Sequence, residues 1–154
     1  MKKILIALFM ILITFSMAGC SNNFVFPEES DFLLSTKVSS ETLLKGEELK
    51  VVAIVKNSSN NGYTLNSSAT FSQSGLIHIN IYEINEPELV LVGASRFVEI
   101  SAGQEIIEER IHKMDKVGKF KVIILSSFEI TDPKTNEQKK YLLREDLVII
   151  EVKE

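Results

Sequence analysis

Residues 77–82 read Ile77-His78-Ile79-Asn80-Ile81-Tyr82, a strict alternation in which three β-branched apolar side chains oppose His78, Asn80 and Tyr82. A period of two over six residues describes a strand with one buried and one solvated face. Upstream, Leu49, Val51, Ala53 and Val55 share one face after a turn at Lys45-Gly46, and Phe32, Leu34, Thr36 and Val38 alternate with Leu33, Ser35 and Lys37. Downstream, Leu89–Val92, Arg96–Ile100, Lys119–Ser127 and Leu147–Val152 are further strand candidates. Strands at this spacing, punctuated by turn residues, predict an all-β antiparallel sandwich rather than an α/β fold.

Two segments depart from simple alternation. Asn57 to Gly75 is rich in Asn, Ser, Thr and Gly, and only Tyr63, Leu65, Ala69 and Phe71 can anchor it. It predicts one short strand between loops. In Gln104–Lys116, Ile107, Ile111 and Met114 fall at helical spacing and Ser101 with Gln104 resembles a capping box, so local propensity alone predicts a helix.

The N-terminus is organised differently. Lys2 and Lys3 precede an apolar run from Ile4 to Phe15, broken only by Thr14, and small residues lead to Ala18, Gly19 and Cys20. A basic start, a short apolar stretch and a small-residue cleavage site are the anatomy of an export signal. A membrane-spanning helix needs about 20 apolar residues, and Ser21, Asn22 and Asn23 end the run too early. The stretch Met17-Ala18-Gly19-Cys20 resembles the lipobox of bacterial lipoproteins, although Met17 stands where Leu is usual. That resemblance implies cleavage between Gly19 and Cys20, with a diacylglyceryl group on the Cys20 thiol and further acylation, such as palmitate, on its new amine. Cys20 is the sole cysteine, and a lone thiol in an exported protein is explained by lipidation. The alternative is an ordinary signal with an incidental free thiol.

The expected organisation is therefore a signal peptide over 1–19, a flexible tether over 20–31 with Phe24 and Phe26 available to dock, and one domain over 32–154. Removing residues 1–19 leaves 135 residues, enough for one core. Without Lys2 and Lys3, 15 basic residues face 21 acidic ones, a net charge of −6. No basic stripe is present, which argues against nucleic acid as a partner. No internal disulfide is possible.

Sequence motifs across Phe32–Val152 resemble the bacterial Ig-like domains of the BsuPI type, named for an intracellular proteinase inhibitor. A strand ends in Asn57-Ser58-Ser59, Ser74-Gly75 precedes the central strand, Gly103-Gln104-Glu105 opens the next, and Gly118-Lys119-Phe120-Lys121-Val122 starts a late one. The resemblance implies an Ig-like sandwich, makes the Gln104 segment a strand (the reading adopted here), and offers proteinase inhibition through the Asn57–Gly75 loop as an alternative activity.

Catalytic patterns are sparse. His78 and His112 lack zinc-ligand spacing, and Gly93-Ala94-Ser95 lacks the second glycine of a nucleophile elbow. Glu108 and Glu109 adjoin Arg110, and Glu145 and Asp146 adjoin Arg144, as on a solvated face. Asn57-Ser58-Ser59 and Asn66-Ser67-Ser68 match the glycosylation pattern only incidentally. Val122–Leu125 and Leu147–Ile150 are apolar at consecutive positions, so either Phe128, Tyr141 and Leu142 fold over the second face or an apolar patch marks a protein contact. The sequence therefore predicts no enzyme and no cofactor. It predicts a non-catalytic binding or accessory module, held by Cys20 on the extracytoplasmic face of the cell membrane, with another extracytoplasmic protein as a possible partner.

Overall fold

A computed structural model describes residues 24–67, 72–87 and 95–154, with only the backbone of residues 147 and 148. The cleavage and lipidation positions Gly19 and Cys20, and the strand expected at Leu89–Val92, lie outside the described residues. After a short 3-10 turn at Glu29–Asp31 come, among the described residues, nine strands: β1 (Phe32–Val38), β2 (Thr42–Leu44), β3 (Glu48–Asn57), β4 (Tyr63–Ser67), β5 (His78–Glu83), β6 (Arg96–Ile100), β7 (Glu105–Lys113), β8 (Gly118–Thr131) and β9 (Gln138–Lys153). They form two layers of an all-β, Ig-like sandwich.

One layer is the antiparallel sheet β1-β3-β7. The other runs β2-β9-β8-β4-β6, with β5 also paired to β8. The long hairpin β8–β9 forms its spine: along its other edge, β8 pairs first with β5 (Phe120 to Leu125) and then with β4 (Phe128 to Ile130). One pair is parallel, β2 lying along the end of β9 from Glu151 to Lys153.

Alternation fixes which side chains fill the space between the layers. Leu49, Val51, Ala53 and Val55 of β3 are fully buried, and they meet Phe120, Val122, Ile124, Phe128 and Ile130 from β8 and Tyr141, Leu143, Ile150 and Val152 from β9. In β9 the buried set changes from odd to even numbers. The cause is a β-bulge: Val122 pairs with Val148 but Ile123 pairs with Asp146, leaving Leu147 as the extra residue, and one extra residue resets the side-chain phase.

That bulge corrects the reading of the consecutive apolar runs. Phe128 and Tyr141 do not fold over a second face; both belong to the core, stacked 5.2 Å apart, and Leu142 is exposed. The Leu147–Ile150 run marks the phase change. On β8, Ile123 is buried on the face away from the core while Val122 and Ile124 face the core.

The stretch expected as a flexible tether is, from Phe24 onward, seated on the sandwich. Phe24 and Phe26 pack edge-on to each other at 5.1 Å and against the core, and Phe24 reaches the Tyr63 ring. The Tyr141 hydroxyl and the Lys139 ammonium both donate to the Pro27 carbonyl oxygen, at 2.8 and 2.9 Å. Aromatic side chains this close to a core lose less by docking than by remaining in water.

Candidate functional site

The sandwich has an open side where β5, in one sheet, lies beside β7, the edge of the other. A cleft of about 360 Å³ opens there, lined by Ser72, Gln73, His78, Asn80, Glu108 and Arg110 among others. It brings together two sets that are distant in sequence: the polar residues of the central strand, His78 and Asn80, and the charged cluster of β7. His78 and Asn80 are half-buried, opposite the buried Ile77 and Ile79.

Glu108 is nearly buried, and its carboxylate oxygens accept the backbone N–H groups of Gln73 (2.9 Å) and Ser74 (2.7 Å). The Ser74 hydroxyl in turn accepts from the N–H groups of Leu76 and Ile77. Arg110 donates from Nη1 to the Ile79 carbonyl oxygen. The loop leading into β5 is thus held to β7 by charge-assisted hydrogen bonds, which are roughly twice as strong as neutral ones. Gly75, in this loop, has φ +71°, a conformation that favours glycine, and an added Cβ would stand 2.7 Å from the Cδ of the Arg96 side chain, which would have to shift.

The other charged pairs lie apart. Glu109 points outward to Lys50 at 2.8 Å. His112 lines a second hollow further along the same edge, with Ile81, Glu83, Asp115 and Lys116. There the hydrogen bond and charge of Glu83 push the Lys116 ammonium above its ordinary pKa. Arg144 holds the Asp146 carboxyl below its ordinary value through a 2.7 Å hydrogen bond, while Glu145 accepts from the Thr36 hydroxyl at 2.9 Å and links the two sheets. Among the described residues no group of three His, Cys, Asp or Glu could hold a metal ion.

Asn57 carries a role that the sequence did not disclose. Its side chain is fully buried, donates to the carbonyl oxygens of Asn61 (2.7 Å) and Ser101 (3.0 Å), and accepts from the N–H and hydroxyl of Ser59. Its amide nitrogen is therefore occupied inside the protein. The segment Ser58–Gly62 is a closed turn. Asp132 is a second such residue: it accepts the Lys134 N–H at 2.7 Å in the β8–β9 turn, which lowers its carboxyl pKa.

What the cleft offers chemically is a braced polar crevice. Its Glu108 carboxylate and Arg110 guanidinium are both hydrogen-bonded to backbone groups.

No protein-family model and no curated protein matches the chain. Among solved structures it is similar to the sporulation control protein Spo0M of Bacillus subtilis, at 15% identity and a TM-score of 0.40 over 80% of this chain and 50% of that one. It is also similar to a family 123 glycoside hydrolase from Clostridium perfringens (14%, TM-score 0.29, 75% of this chain and 28% of that one). A third similarity is to a β-glucosidase from Listeria innocua (15%, TM-score 0.34, 81% and 18%). The chain thus spans half or less of the length of each of these proteins.

Proposed function

We propose that this chain is an exported lipoprotein whose domain acts as a non-catalytic binding or accessory module on the extracytoplasmic face of the cell membrane. The observation that carries the reading is Met17-Ala18-Gly19-Cys20 at the end of a short apolar run, with Cys20 the only cysteine. The non-catalytic part is supported by the use of Glu108, Arg110 and Asn57 as braces for loops. Two or more acyl chains hold a protein on a membrane stably, each buried CH₂ contributing about 0.8 kcal/mol. The wild-type protein therefore stays on membranes through a high-salt wash that screens surface charge. Metabolic labelling with a clickable fatty acid tests the reading: wild type takes up label and Cys20→Ser does not. Equal labelling of both, or of neither, overturns it.

A proteinase-inhibitor reading rests on the order of motifs shared with the BsuPI-type domains and on the exposed turn that Asn57 holds rigid. A panel of proteases incubated with the protein separates the two readings, and absence of inhibition at micromolar concentration retires the second.

A further inference from the structure

β7 ends its sheet, and among the described residues no strand pairs with its other edge. The hydrogen bonds at both ends of β7 show which backbone groups that edge offers. Asn57 N–H donates to the Gln104 carbonyl and Gly46 N–H to the Met114 carbonyl, so the even-numbered residues turn their backbone groups towards β3. In an antiparallel pair these directions alternate. The groups of Glu105, Ile107, Glu109, Ile111 and Lys113 therefore point outwards.

The same five side chains lie on the solvent face, and both isoleucines are 56% exposed. Charges on an edge strand ordinarily repel pairing. Here they alternate with isoleucine and change sign along the strand, and the order is self-complementary. About a two-fold axis at Glu109, Glu105 faces Lys113 of a second copy and Ile107 faces Ile111. The axis requires the Glu109 carboxylates to meet, and each is already neutralised by Lys50 at 2.8 Å on its own β3. Centring on Ile107 would instead set Glu105 against Glu109 twice and leave Lys113 without a facing acid. Centring on Ile111 would pair Glu109 with Lys113 but set Ile107 and Glu105 against residues beyond the end of the strand. On their own chain Glu105 and Lys113 also meet Lys56 and Asp115, each at 3.3 Å on the exposed face. Glu109 also belongs to the set whose N–H and C=O face the edge, as a residue on such an axis must if it is to exchange both hydrogen bonds with its own copy.

We propose that β7 is a homodimerisation edge: two copies pair antiparallel through β7, in register about Glu109, to join two three-stranded sheets into one of six strands. The occupant is a second copy because its charge and apolar pattern complements this edge at Glu105, Ile107, Ile111 and Lys113, and Lys50 offsets the meeting at Glu109.

Cysteine crosslinking of the full chain in detergent tests the register. At a hydrogen-bonded antiparallel pair the Cα atoms stand about 5.5 Å apart, inside the disulfide range of about 4.4–6.8 Å. Glu109→Cys is expected to form intermolecular disulfide severalfold faster than Lys37→Cys on the opposite edge strand. Ile107→Cys mixed with Ile111→Cys is expected to crosslink severalfold faster than either variant alone. All these side chains are exposed, so the substitutions leave the core intact. Sedimentation of the wild-type chain in the same detergent gives a second measurement, with a dimer expected. A monomer at high micromolar concentration, equal crosslinking at Lys37 and Glu109, or faster crosslinking of Ile107→Cys alone than of the mixture overturns the proposal.

Discussion

The buried carboxamide of Asn57 satisfies both its donor and its acceptor side, and it ties its own turn, at Asn61, to the turn at Ser101, 44 positions beyond Asn57. Its backbone continues the link, donating to the Gln104 carbonyl and accepting from Gly103 N–H. Truncation removes four hydrogen bonds made by this side chain, each with a net worth of about 0.5–1.5 kcal/mol. Asn57→Ala is therefore expected to lower unfolding free energy by about 3 kcal/mol, read as a fall in the denaturant midpoint with little change in slope. Asn57→Asp, nearly the same shape, is expected to lose at least as much at neutral pH, because an ionised carboxylate only accepts and would face two carbonyl oxygens. The sequence showed this residue as the end of a strand and as an incidental glycosylation match. Its burial depends on Ser101 arriving from a distant turn, which local pattern does not encode.

Among the strands, β7 shows where local pattern misleads and why. Ile107, Ile111 and Met114 have helical spacing, yet the two isoleucines lie on the exposed face and only Met114 is buried, just beyond the strand. The inward positions are Ile106, Glu108, Arg110 and His112, mostly polar because this edge borders the cleft, so no apolar period of two is visible. The Ser101–Gln104 pair closes a turn into a strand instead of capping a helix: Gln104 N–H donates to the Ser101 carbonyl, and Gln104 Oε1 accepts the Ser101 N–H. By contrast β3 and β5, with one apolar face each, were plainly legible. If Glu108 acts as a brace, Glu108→Ala frees the N–H groups of Gln73 and Ser74, and those two amides exchange with solvent severalfold faster than in wild type. A stability loss of about 2 kcal/mol accompanies it. Glu108→Gln, which keeps one acceptor oxygen, is expected to lose less of both. Unchanged exchange at Gln73 and Ser74 in the alanine variant would remove the bracing role.

The sandwich itself followed from alternation, but the seating of residues 24–31 on it did not, because it depends on rings that β1, β4, β8 and β9 bring to one end of the core. Phe32 lies 5.0 Å from Phe128 and 5.6 Å from Tyr141, and the Tyr141 hydroxyl reaches the Pro27 carbonyl. Under the lipid-anchored reading this docking has a consequence for the domain's position. Four peptide units separate Cys20 from the docked Phe24, a reach of at most about 14 Å, so the aromatic end of the sandwich sits near the bilayer surface. Tyr141 is the titratable member of this joint. Burial first, then the nearby Tyr63, Glu28 and Asp31, push its phenol up from 10.0 to about 12. A folded-state pKa above the unfolded value means that the folded protein holds the proton more tightly. The associated stabilisation is complete below pH 10 and disappears as pH rises towards 12, amounting to about 3 kcal/mol. Stability measured across that interval is expected to fall by this amount in wild type. In Tyr141→Phe, which loses only a hydrogen bond worth about 1 kcal/mol, the fall is expected to be shallower by the tyrosine's share. The Pro27 carbonyl keeps the Lys139 ammonium as a donor in that variant, so the segment remains seated at neutral pH. Parallel alkaline profiles for the two proteins would mean that the phenol is not held protonated by this seat.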